Sequence, residues 1–122
     1  MKLIDSNILI HAAKPEHTNL KVLLSGGDVA ISNISKLEVL GYQKITKEQK
    51  KFFIAVFTLV QIIQVDDSVI DEAIKLRSAK NMSVGDAIIA ATAVLNSCEL
   101  VTENTNDFKH VNGITITNPI IK

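Results

Sequence analysis

A chain of 122 residues with 13 basic and 13 acidic side chains, zero net charge and 47% apolar residues has material for one buried core. It carries no overall charge footprint for nucleic acid. A single cysteine, Cys98, excludes an internal disulfide and a cysteine-based zinc cluster, and is expected as a small core residue in a reducing, cytoplasmic setting.

Lys2-Leu3-Ile4-Asp5 reads as a short buried strand with Asp5 at its carboxyl end; no signal peptide or membrane span is expected. Ser6 to Ala13 has helical character, Pro15 punctuates it, and a second helix is expected from about Glu16 to Leu24. Ser25-Gly26-Gly27-Asp28 is a turn before a second strand, Val29 to Ser32. Helices are predicted over about 34–42 and 46–59, followed by a third strand, Ile62 to Val65. Asp66-Asp67-Ser68 caps a helix running to about Ala79. After Asn81-Met82-Ser83 comes a helix whose only polar residue between Ala87 and Leu95 is Thr92, so it belongs in the middle of the domain. A strand, Leu100 to Thr102, a polar loop and a last strand, Ile114 to Thr117, complete the chain. Strands alternating with helices imply one α/β domain, 1–122, with a parallel sheet covered on both faces. Ligands of such sheets bind outside the carboxyl ends of the strands.

Acids gather at those ends. Asp5 follows the first strand, where it either caps the next helix or faces a ligand. Asp86 stands at the mouth of the apolar helix, and Ser83-Val84-Gly85-Asp86 also has the spacing of a capping box. At about 100° per residue, Ile34, Gly41 and Tyr42 flank Glu38, which places that charge inside the inward stripe of its helix. Asp107 lies with Asn104 and Asn106 in a loop that opens at the same edge as Asp5, though each also suits turn chemistry. Asn7, two residues after Asp5, is placed to orient its carboxylate or a metal-bound water. Carboxylates sharing one rim repel unless a cation neutralises them, and all-oxygen ligands select Mg²⁺ or Mn²⁺. Phosphodiester hydrolysis is the reaction such a site serves.

The remaining polar residues add less. His11, His17 and His110 have no mutual spacing for a metal site or a triad, and surface or capping positions are expected. Lys44, Lys47, Lys50 and Lys51 form one basic group and Lys75, Arg77 and Lys80 another; each suits either a phosphate backbone or a solvated helix face. No glycine-rich phosphate loop is present.

Four segments, Ile4-Asp5-Ser6-Asn7-Ile8-Leu9-Ile10, Ile34 to Tyr42, Gly85-Asp86-Ala87-Ile88-Ile89-Ala90-Ala91-Thr92-Ala93 and Leu100 to Phe108, together resemble the PIN-domain family. More closely, they are similar to the VapC-type toxins of toxin–antitoxin pairs. The resemblance implies a three-layer α/β/α sandwich and a metal-dependent endoribonuclease, with Asp5, Glu38 and Asp86 as the acidic triad around Mg²⁺ or Mn²⁺. For the fourth acidic position it leaves Asn104, where some members carry Asp, or Asp107. The chain departs from the pattern at Glu103, where many members have a basic residue. The implied partners are an RNA substrate, a cognate antitoxin and a second copy of the chain. Two other classes that place an acid after the first strand fit less well. A haloacid-dehalogenase-like phosphatase needs Asp where this chain has Asn7, and a receiver domain needs neighbouring acids and a strand-end lysine not found here. A PIN-like binding module without catalysis is the remaining alternative.

Overall fold

Leu3 and Ile4 are adjacent and both fully buried, which a strand achieves only when both of its faces are covered. They belong to β1 (Lys2–Ile4), the middle strand of a five-stranded sheet in the computed structural model, which describes residues 1–120. Residues 121 and 122 of the expected domain lie outside the described residues. The sheet order is β3 (Gln61–Ile63), β2 (Val29–Ser32), β1, β4 (Glu99–Val101), β5 (Ile116–Thr117), with every pairing parallel. Lys2 stands opposite both Val29 and Glu99, and Ile4 opposite Val101. The carboxyl ends of the central strands therefore finish almost level, and the residues just beyond them, Asp5 and Thr102, meet at one edge.

Alternation along the strands divides the core into two. Ile4, Val29, Ile31 and Val101 pack with α1 (Ser6–Ala12), α2 (Thr18–Leu24), α3 (Asn33–Leu40) and α4 (Lys47–Leu59). Leu3, Ala30 and Leu100 pack on the other side with α5 (Asp67–Ala79), α6 (Val84–Leu95) and Phe108 of the one-turn helix α7 (Thr105–Phe108). The result is the expected three-layer α/β/α sandwich. In α6, Ala87 to Ala93 are all buried, and the Thr92 hydroxyl is satisfied by the Ile88 carbonyl at 2.7 Å. Asp5, Ser32, Thr46, Asp66 and Ser83 each cap a helix by accepting a backbone amide, which fixes where the helices leave the sheet edge.

Several boundaries differ from the sequence reading by one or two residues, among them those of α2, α3 and β4. The third strand is Gln61–Ile63 rather than 62–65, because Asn33 Oδ1 takes the Val65 amide at 3.1 Å and draws the chain off the sheet. The last strand begins at Ile116, not Ile114. The polar loop after β4 contains α7, whose side chains are mostly turn formers with Phe108 as the single buried anchor.

Candidate active site

Asp5 leaves β1 only 6% exposed. Its Oδ1 accepts the Ser6 amide at 2.8 Å, and its Oδ2 accepts the Thr102 hydroxyl at 2.8 Å and Asn7 Nδ2 at 3.4 Å. Burial pushes its pKa from 3.8 up to about 6; the Thr102 and Ser6 hydrogen bonds pull down, while the charges of Asp86 and Glu38 push further up. Asp5 is thus both a helix cap and a carboxylate facing other carboxylates.

Glu38 does not lie in the inward stripe of α3. That stripe is Ser35 and Val39; Glu38, Gly41 and Tyr42 are exposed. Ser35, a small residue that the apolar pattern does not count, turns the buried face by about 60° relative to Glu38. The acid sits at the margin of the stripe and reaches over it. Ser6 Oγ lies 2.7 Å from Glu38 Oε1 and 2.8 Å from Ser35 Oγ. Having one proton, Ser6 donates to the carboxylate and accepts from Ser35.

Asp86 occupies the first turn of α6, and its amide donates to Ser83 Oγ at 3.1 Å. Among the described residues the reciprocal half of a capping box is not formed, so the carboxylate is left to the rim. Burial raises its pKa, Asp107 and Glu38 raise it further, and the Ser83 hydroxyl opposes them. Asp107, exposed in α7, is therefore the acid beside Asp86. Asn104 is exposed at the N-cap position of α7, and its side chain makes no cap bond. Its amide donates to Thr102 Oγ1 at 3.1 Å. Asn7 ties this loop to Asp5, since its Oδ1 accepts the Glu103 amide at 3.2 Å.

The histidines are placed by packing. His11 pairs with Glu103 and meets His17 edge-on, ring centroids 5.2 Å apart; His17 stands at the N-cap position of α2 without capping it. His110 lines a cavity of about 560 Å³ that Asp86, Asn106 and Asp107 share with Arg77 and Lys80. Cys98 is buried, which pushes its thiol pKa up and leaves it unsuited to nucleophilic work.

Among the described residues no three His, Cys, Asp or Glu side chains form a ready-made metal-ligand group. The acids stand as a rim: the charges of Asp86 and Glu38 act on Asp5, and those of Asp107 and Glu38 act on Asp86. None of the four pairs with lysine or arginine, because the ion pairs among the described residues are Met1–Asp28 and His11–Glu103. A partly buried set of oxygen donors with no cation at ion-pair distance among the described residues fits a hard divalent ion. Sequence reasoning did not single out Ser6, Ser35 and Thr102, whose hydroxyls hold the acids. The available signal was position, because Ser6 and Thr102 directly follow the ends of β1 and β4.

An acidic rim at the carboxyl edge of a five-stranded parallel sheet defines a class of α/β/α domains with negative charge concentrated at one edge. The PIN domain model matches residues 2–114, and the chain belongs to the PIN-domain family. No curated protein matches it. Among solved structures it is similar to a chain of a toxin-antitoxin complex from Klebsiella pneumoniae, at 28% identity over 100% of both chains with a TM-score of 0.80. It shares the fold of FitAcB from Neisseria gonorrhoeae, at 24% identity over 98% of each chain with a TM-score of 0.79. It likewise shares the fold of VapBC2 from Rickettsia felis, bound there to a DNA fragment from their promoter; identity is 22% over 96% of this chain and 97% of that one, with a TM-score of 0.78.

Proposed function

We propose that this chain is a Mg²⁺- or Mn²⁺-dependent endoribonuclease, the toxin of a toxin–antitoxin pair. In this reading it acts in the cytoplasm as one PIN-like domain, 1–122, that forms a homodimer and is held by a cognate antitoxin. What supports the nuclease reading is that Asp5 and Asp86 feel the charges of Glu38 and Asp107 at one sheet edge, with no lysine or arginine partner among the described residues. The PIN-domain match and the toxin-antitoxin complex from Klebsiella pneumoniae support the toxin reading.

Asp5, Glu38 and Asp86 would hold the ion. When bound, such an ion supplies activation of water for attack on phosphorus and offsets charge on the phosphodiester. The chain's own groups set the stage. Thr102 and Asn7 fix the direction of Asp5, and Ser6 fixes that of Glu38. In this reading Asp107, exposed beside Asp86, would be the fourth carboxylate, and Asn104 holds the loop through its amide rather than supplying a charge. No helix among the described residues is long and apolar enough to cross a membrane.

The test is cleavage of fluorescent RNA oligomers by purified protein with Mn²⁺ and with excess chelator, alongside a preparation of Asp5→Asn to control for contaminating nuclease. Cleavage that needs Mn²⁺ and the parent residue supports the reading. Equal cleavage in chelator, or by the variant, contradicts it. Absence of both cleavage and Mn²⁺-dependent thermal stabilisation would favour the non-catalytic binding module.

A further inference from the structure

Beside the acidic rim lies a cavity of about 560 Å³ lined by Asp86 and Asp107 together with Arg77, Lys80 and His110, and by the neutral polar residues Asn81, Ser83 and Asn106. Arg77 and Lys80 come from the end of α5, exposed, and neither is paired with a carboxylate among the described residues. Arg77 is nonetheless held: its Nε donates to the Met82 carbonyl at 3.0 Å, which leaves the terminal nitrogens of the guanidinium to a further acceptor. One ring nitrogen of His110, Nε2, is shut off from solvent with no hydrogen-bond partner. Two cations with no carboxylate partner among the described residues, beside a rim of four acids, are not arranged to neutralise that rim. They suit an anion that arrives from outside.

We propose that this cavity is a subsite for an RNA backbone phosphate next to the scissile one, with Arg77 and Lys80 as its cationic contacts and His110 completing the polar wall. The assignment rests on the nuclease reading for the identity of the strand. A chain whose scissile phosphate lies at the acids must pass over one side of them. Only a side that offers positive charge offsets the repulsion between the rim and the next phosphate. The guanidinium, fixed by Met82, presents its donors in a planar fork suited to phosphate oxygens, and Lys80 adds a point charge.

The test measures RNA binding by fluorescence anisotropy in chelator, and KM and kcat for cleavage in Mn²⁺, at several salt concentrations. Parent, Arg77→Gln, Lys80→Ala and the control Lys75→Ala would be compared; Lys75 is exposed on α5 but does not line the cavity. Arg77→Gln and Lys80→Ala should each raise Kd and KM about tenfold, with kcat within about twofold. The slope of log Kd against log salt should flatten by about 0.7 for the lost contact. Lys75→Ala should match the parent. Because a phosphate contact carries no base information, the loss should be equal across RNA sequences. Lys80→Ala removes no side-chain bond seen among the described residues, so it reports binding even if Arg77→Gln loosens the turn at Met82. Parent-like Kd and salt slope in Lys80→Ala, or a loss confined to one sequence, would overturn the subsite while leaving the nuclease reading intact. RNA binding that depends on Arg77 and Lys80 without any cleavage would keep the subsite and sink the nuclease reading. No binding by the parent would remove both.

Discussion

A Cβ placed on Gly85 would stand 3.3 Å from Glu38 Oε2, so the first turn of α6 and the acid of α3 approach as closely as a glycine allows. The neighbour is the far end of a flexible side chain, so Gly85→Ala should fold, with Glu38 giving way by a few tenths of an ångström. Alanine is the better helix former, and the melting temperature without metal should stay level or rise. Displacement of the carboxylate should nevertheless weaken Mn²⁺ binding by about tenfold and slow cleavage. Calorimetric titration with Mn²⁺ checks this. Unchanged affinity would mean that Glu38 is not a ligand held at that spot.

Thr102→Val keeps the shape of a fully buried side chain and removes the donor nearest to Asp5 Oδ2. Because that hydrogen bond lowers the Asp5 pKa, the variant should titrate Asp5 above its present value of about 6. At pH 7.5 the metal-free variant should lose about 1–3 kcal/mol, as a buried carboxylate forfeits its bond, and the deficit should shrink toward pH 5. Carboxyl NMR titration and urea unfolding read the two effects. A deficit independent of pH would point to packing alone.

How far the sequence revealed this site depends on what each signal measures. Apolar runs report burial, which is why β1, β2 and α6 and the acids at their ends could be placed. Side chains that act by bonding rather than burial left weaker traces. Ser35 turned the face of α3 and moved Glu38 to its margin, although a serine adds nothing to an apolar stripe. Asn33 shortened β3 by capturing the Val65 amide from 32 residues away. The three turn formers Thr105 to Asp107 became a helix because the core held the phenyl ring of Phe108. The neighbours of Arg77 were illegible for a different reason: only the packing of α5 and α7 against α6 brings the end of α5 beside Asp107.

Asp5 also sets a pH dependence. Its folded pKa of about 6 exceeds the reference 3.8, so between those values the folded chain binds more protons than the unfolded one. Its contribution is therefore full below pH 3.8, is lost as pH rises toward 6, and amounts to a penalty on the order of 3 kcal/mol above that window. Asp86 is shifted in the same direction. In chelator, the metal-free protein should resist urea better at pH 5 than at pH 7.5. Asp5→Asn, which keeps a capping side chain, should remove most of the difference. A parent and variant with the same drop would assign it to other groups.

Asp86→Asn separates a ligand from a helix cap. Asparagine caps nearly as well as aspartate, and the bond that anchors this turn runs from the Asp86 amide to Ser83 Oγ, which the substitution leaves in place. What changes is charge: the rim loses a carboxylate that raises the pKa of Asp5. Without metal the variant should be as stable as the parent or more so, because repulsion is relieved. With Mn²⁺ it should gain less in melting temperature than the parent, since stabilisation by an ion follows its affinity for the folded state. Cleavage of RNA should fall at least a hundredfold. Thermal unfolding with and without Mn²⁺, combined with the cleavage assay, measures all three. A variant that kept the full Mn²⁺ shift and the parent's activity would make Asp86 part of the α6 terminus and nothing more, and Asp5, Glu38 and Asp107 would have to form the site without it.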